Sequence, residues 1–299
     1  MAEPSFVVEP GETTPFGARL AAAMDAHGPL CVGIDPHASL LDAWGLPDDA
    51  AGVREFGLRV VEAVGGRVAA VKPQAAFFER HGSRGVAALE DVIAASRAAG
   101  TLVIVDAKRG DIGSTMDAYA EAFLRDGSPL AGDALTVSPY LGFGSLTPAV
   151  DLALGSGRGL FVLCLTSNKE GHEVQHARTL TVDGTPGGPS VAAAMAAHAA
   201  TLNAGADPLG SIGLVVGATV GDAAARTATD LAAVNGPLLA PGVGAQGAGA
   251  AELAAVFGPA RRHVLASSSR GVLRAGPDVG ALRAAAAVAA REAQAALRG

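Results

Sequence analysis

Charged residues gather at short apolar runs in the first third of the chain. LCVGID (30–35) ends on Asp35, AAVKPQ (69–74) carries Lys72 near its end, and LVIVDAK (102–108) closes on Asp106 and Lys108, with Asp111 shortly after. If these runs are strands, their two-residue period puts Asp106 and Lys108 on one face, and Asp111 follows within a turn of chain. Three carboxylates and two ammoniums then converge, a set suited to donating a proton and stabilising a developing negative charge. An ion-pair network built for stability accounts for any one of these charges. It does not account for all five, because an apolar plug of similar volume is often as stable or more so. A Schiff-base lysine needs a depressed pKa, and flanking carboxylates push a lysine the other way. Lys72 and Lys108 are therefore read as charge stabilisers and proton donors, with Lys108, between two aspartates, as the candidate acid.

Two later segments suit a small anion. PGVGAQG (241–247) has three glycines that let backbone N–H groups approach, with Gln246 as a side-chain donor, and SSSRG (267–271) offers Arg270 for charge-assisted contacts. HEVQH (172–176) matches the HExxH pattern of zinc proteases. That chemistry needs a stable helix with both histidines on one face and a third ligand beyond it, whereas this segment has room for only about two turns. It is read as a short amphipathic turn, and no metal site is expected.

Eight β-type runs position these groups: the three above, then ALTVSP (134–139), FVLCLTS (161–167), IGLVVGAT (212–219), LLAPGVG (238–244) and HVLASSS (263–269). Ala-rich stretches of helical length lie between them, such as 86–100 and 190–205. Eight strand–helix alternations predict an α/β fold, a single (β/α)8 TIM barrel over residues 1–299. Continuous apolar runs such as FVLCL and LVIV are the mark of parallel strands buried on both faces. A doubly wound open sheet would carry GxGxxG after its first strand, and none is present. FVLCLTS begins at 161 and the next run only at 212, so a long loop is inserted after strand 5; the polar, aperiodic stretch 168–188 is read as a lid over the barrel mouth. Residues 1–29 form an N-terminal extension and helix, and 277–299 a C-terminal helix. In such barrels functional groups sit at the C-terminal strand ends and phosphate after strands seven and eight, where the charges and the two glycine-rich segments fall.

A net charge of −7 with no Lys/Arg cluster argues against a nucleic-acid partner. AAAAVAA (284–290), the longest apolar run near the C-terminus, is too short to span a bilayer, so no membrane association is expected. Residues 1–15 do not read as a signal peptide. Cys31 and Cys164 lie in apolar runs as free thiols, which suits a reducing, cytoplasmic setting.

VDAKRGDIGST (105–115) resembles the DxKxxDI signature of the orotidine 5′-phosphate decarboxylases, and GIDP (33–36), VKPQAAFFE (71–79), LTSN (165–168), VVGAT (215–219), PGVGAQG and SSSRG follow in that family's order. The insertion and VVGAT are similar to its bacterial subgroup of larger chains. The resemblance covers about residues 30–271 and implies cofactor-free conversion of orotidine monophosphate to UMP and CO2 by a homodimer with shared active sites. By the same resemblance, Asp35 and Lys72 hold the ribose hydroxyls and complete the charge network. Asp106 faces the scissile carboxylate and Lys108 protonates C6. Asp111, Ile112 and Thr115 reach the partner subunit's site, Ser167 reads the pyrimidine edge, and Gln246 and Arg270 hold the phosphate. Roles for Ser138 and Thr219 stay open. Two alternatives remain: a Mg2+-dependent sugar-phosphate decarboxylase or aldolase of the same barrel suprafamily, and a catalytically silent barrel that binds a phosphate ligand.

Overall fold

The computed structural model describes residues 14–181, 183–243 and 248–298. Its strands are β1 (Leu30–Ile34), β2 (Ala70–Pro73), β3 (Leu102–Arg109), β4 (Ala134–Val137), β5 (Gly159–Leu165), β6 (Arg178–Leu180), β7 (Pro186–Ser190), β8 (Ile212–Val216), β9 (Leu238–Pro241) and β10 (Val264–Ser268). Eight of them, β1–β5 and β8–β10, close into a parallel barrel in which Leu30 of β1 pairs with Ala266 of β10. They coincide with the eight apolar runs.

Alternation along each strand sorts its side chains. Outward positions such as Val32, Val71, Val103, Leu135 and Val162 pack into the layer between barrel and helices. Inward positions Cys31, Ala70, Ile104, Ala134, Phe161, Val215, Leu239 and Leu265 fill the interior. The helix Phe16–His27 closes the N-terminal end of the barrel by inserting Phe16, Leu20 and Met24 into that interior cluster. Phe16 meets Phe161 edge to face at 6.0 Å. A Cβ on Gly159 would lie 2.1 Å from the Phe16 ring, so only glycine admits the plug. With one end filled, the C-terminal mouth is left for function.

The insertion differs from the expected structureless loop. It holds a helical turn, the short helix His172–Gln175 and an antiparallel hairpin of β6 and β7, whose pairing runs to Ser190. The reason is local turn chemistry: Asp183–Gly184 lies between two threonines, and the Asp183 carboxylate accepts hydrogen bonds from the Thr181 hydroxyl and from the Thr185 backbone and hydroxyl. An Asp-Gly pair flanked by β-branched residues is a hairpin signal that periodicity alone misses. The C-terminal helix spans Val279–Arg298. No helix among the described residues is long and apolar enough to cross a membrane. Cys31 and Cys164 are free and buried, and burial pushes both thiols up to about 12.

Candidate active site

One layer above the apolar interior, the inward positions of neighbouring strands turn polar. Counting two residues on from Ala70, Ile104 and Ala134 gives Lys72, Asp106 and Thr136, and two on from Gly33 gives Asp35 just past β1. The Asp106 carboxylate is their centre. Lys72 Nζ donates to its Oδ2 at 2.6 Å, Lys108 Nζ to its Oδ1 at 2.5 Å, and the Thr136 hydroxyl to the same Oδ1 at 2.9 Å. Gln74 donates to the Asp106 carbonyl at 3.3 Å. The Lys72 and Asp106 side chains are only 7% and 8% exposed, while that of Lys108 is 44% exposed.

Burial alone would raise the Asp106 pKa, but the charges of Lys72 and Lys108 and their hydrogen bonds outweigh it and hold the carboxyl at about 2. Burial pulls Lys72 down, yet Asp106 and Asp35 overcome this and keep its ammonium well above the ordinary lysine range. Both groups are therefore ionised at neutral pH. Asp35 has its Oδ1 buried with no hydrogen-bond partner among the described residues, an acceptor with unused capacity at the mouth.

A cavity of about 830 Å3 opens over this layer and runs on past Arg270 to Ala285, Ala289 and Ala293 of the C-terminal helix. Asp35, Lys72, Asp106, Lys108 and Thr136 line one side, Val215, Leu239 and Pro241 give an apolar wall from β8 and β9, and Ser267, Ser269 and Arg270 lie by β10. The arrangement can hold a flat ring between a charged and an apolar side, and it presents an ammonium ready to give a proton.

The other residues singled out by sequence lie elsewhere. Asp111 does not join the charge cluster of its own chain, which corrects the five-charge convergence. Its Oδ1 accepts the Ile112 backbone N–H at 2.8 Å instead, because the chain leaves β3 through a bulge between Val105 and Arg109. Ile112 and Thr115 are exposed at the start of the helix Gly113–Leu124. Ser167 is exposed just past β5, next to Gly217, and neither it, Ser138 nor Thr219 is part of the cavity wall. Gln246 falls outside the described residues. His172 opens a four-residue helix and His176 caps its end, with their rings 6.5 Å apart, and His172 Nδ1 donates to the Lys169 carbonyl at 2.5 Å.

Sequence reasoning passed over Thr136, Gln74 and His37, all on the cavity wall. Thr136 was legible in ALTVSP, where Leu135 and Val137 claim the outward positions. Gln74 follows Lys72 by one strand period. His37, packed edge-on to Phe77 at 4.3 Å, had no signal in the local pattern.

The family described as orotidine 5′-phosphate decarboxylase / HUMPS matches residues 28–285. A Streptomyces coelicolor protein named orotidine 5′-phosphate decarboxylase is 66% identical over 272 residues, 91% of this chain and 94% of its own. One of that name from Salinispora arenicola is 60% identical over 284 residues, 95% of this chain and 99% of its own. Among solved structures, a Streptomyces avermitilis protein carrying the same name provisionally is 64% identical, with a TM-score of 0.89 over 96% of this chain and 97% of its own. The Leishmania donovani OMP decarboxylase is 34% identical, with a TM-score of 0.71 over 96% of this chain and all of its own. The chain belongs to the orotidine 5′-phosphate decarboxylase / HUMPS family.

Proposed function

We propose that this chain decarboxylates orotidine 5′-phosphate to UMP and CO2, using its own side chains and no cofactor. The observation that carries this reading is the Lys72–Asp106–Lys108 row at the barrel mouth, in a chain 60–66% identical to proteins of that name. Loss of CO2 leaves the C6 bonding pair on a vinyl-type carbon that no ring carbonyl can stabilise as a simple enolate, so the barrier is high. In the proposed reaction the C6–carboxylate bond breaks, the pair stays on C6, and Lys108 Nζ gives up a proton to it. The ammonium acts most strongly once charge develops, which is the condition for lowering a barrier.

In this reading Asp106 faces the scissile carboxylate, Asp35 and Lys72 hold the ribose hydroxyls, and Ser167 reads the pyrimidine edge. Arg270 and Gln246 bind the phosphate, and 168–188 acts as the lid. The buried, unpartnered Asp35 Oδ1 supports the ribose role, and the apolar wall of Val215 and Pro241 suits the ring. The enzyme works as a cytoplasmic homodimer in which Asp111, Ile112 and Thr115 complete the partner's site. Ile112, Tyr140 and Leu141, exposed apolar side chains near the mouth, support that interface.

Loss of orotidine monophosphate absorbance, followed with and without chelator, tests the reaction. Equal rates and stoichiometric UMP are expected. A Mg2+-dependent sugar-phosphate enzyme would leave the nucleotide untouched, and a silent barrel would bind UMP without turnover. Subunit exchange tests the shared site. Lys108→Ala and Asp111→Ala chains mixed in equal amounts should recover about one quarter of wild-type activity, because half the dimers are mixed and each has one intact site. No recovery, in a preparation shown to exchange subunits, refutes it.

A further inference from the structure

The bulge in β3 leaves a backbone donor that the sheet cannot satisfy. Ile104 and Val105 pair with Ala134 and Leu135, but the next pair is Arg109 with Val137, so β3 carries two more residues than β4 across this interval. Lys108 lies in that excess at φ 46°, a left-handed conformation that a non-glycine residue keeps only when its surroundings hold it there. Its N–H has no ladder carbonyl and donates instead to Thr136 Oγ1 at 3.0 Å. The same hydroxyl donates its one proton to Asp106 Oδ1 at 2.9 Å, the oxygen that also receives Lys108 Nζ. Thr136 is 1% exposed. One hydroxyl thus closes a ring through the backbone of Lys108, its ammonium and the carboxylate between them.

We propose that Thr136 is a positioning residue for Lys108, fixing both the backbone from which the ammonium projects and the carboxylate oxygen that receives it. The proposal rests on the decarboxylase reading, in which Lys108 must meet C6 at one angle. The half-exposed lysine has a flexible four-carbon stem and, among the described residues, one side-chain tether, Asp106 Oδ1. A substrate carboxylate next to Asp106 competes for the ammonium, and the backbone grip from Thr136 is then what limits how far it swings. A small misplacement of a reacting group is enough to lose much of its rate advantage.

Thr136→Val keeps the shape and removes both hydrogen bonds, whereas Thr136→Ser keeps the hydroxyl and removes the methyl. Thr136→Val should lower kcat by roughly 10- to 100-fold, with KM and the dissociation constant for UMP within about threefold of wild type, and Thr136→Ser should keep kcat within about threefold. A Thr136→Val enzyme with wild-type kcat overturns the proposal. So does equal impairment of the Val and Ser variants, which would assign the role to the methyl group, or loss of UMP binding in parallel with kcat, which would mark general disruption. Should Thr136→Val fail to fold, Thr136→Ala against Thr136→Ser makes the same comparison with the same outcomes. Wild-type protein that leaves orotidine monophosphate unchanged overturns the decarboxylase reading, and this inference with it; an active wild type with an unaffected Val variant removes the inference alone.

Discussion

Replacing Lys72 and Asp106 together by apolar residues of similar size separates stability from catalysis. The two charges lie 2.6 Å apart and almost fully buried. At an effective dielectric near 20, unit charges at that distance attract by about 6 kcal/mol, while withdrawing each from water costs several kcal/mol. The terms nearly cancel for the pair but not for one survivor. Asp106→Leu leaves the Lys72 ammonium buried with only Asp35 to offset it, and should destabilise by about 3–5 kcal/mol. Lys72→Met should cost less, because Lys108 and Thr136 still bond the carboxylate. The double variant should fall within about 1 kcal/mol of wild type, or exceed it, while turnover is lost in all three. Urea unfolding at pH 7 reads this directly. Trp44, the single tryptophan, is buried and stacked on Phe56 at 4.1 Å, so its fluorescence reports loss of the fold. If the double variant is as destabilised as Asp106→Leu or more so, the pair contributes net stability and the argument that these charges exist for chemistry fails.

Lys108→Ala should abolish nearly all turnover while UMP still binds, since its charge matters most once the carbanion forms; substantial residual kcat would remove it from the proposed role. Arg270→Ala should weaken UMP strongly and uridine hardly at all, as measured by calorimetry, and equal losses would move the phosphate site elsewhere. Stability should also follow the two shifted groups. Asp106 is held at about 2, below its ordinary value of 3.8, so its contribution, about 2 kcal/mol, is full above pH 4 and lost as pH falls toward 2. Lys72 is shifted upward, so its contribution is full below the ordinary lysine value and lost in strong alkali. A urea midpoint with the same acid dependence in wild type and Asp106→Asn would contradict the Asp106 assignment.

The barrel was legible because each strand is buried on both faces and reads as an apolar run, with inward charges breaking the run at one level. Asp35, Lys72 and Asp106 fall at that level by the period of a strand alone. What strand periodicity could not show was the bulge: it adds two residues to β3 relative to β4, puts Lys108 in a left-handed conformation and sends Asp111 out of the cluster. Ideal alternation therefore gave the right neighbour for Lys108 and the wrong company for Asp111. The hairpin in the insertion was hidden because its signal is a two-residue turn rather than a period. The inward place of Thr136 was legible from strand alternation, but its task was not, because that depends on the Lys108 N–H that the bulge turns toward its hydroxyl.

The electrostatics of the mouth tie these observations to the proposed reaction. Asp35 and Asp106 balance Lys72 and Lys108, so the free site is close to neutral among these four groups. A substrate carboxylate beside Asp106 meets a second negative charge that cannot be relieved by protonation, because the two lysines hold Asp106 ionised far below neutral pH. When the C6–carboxylate bond breaks, that charge passes to C6 and CO2 departs uncharged. In the proposed reaction the carbanion lies toward Lys108 rather than against Asp106. Repulsion falls and attraction rises along the same coordinate, which is the differential stabilisation that catalysis requires. Lys72, bonded to the other carboxylate oxygen, keeps Asp106 ionised after Lys108 has given up its proton. On the proposed mechanism the two lysines on one aspartate are not redundant: the buried one maintains the charge, and the half-exposed one reacts.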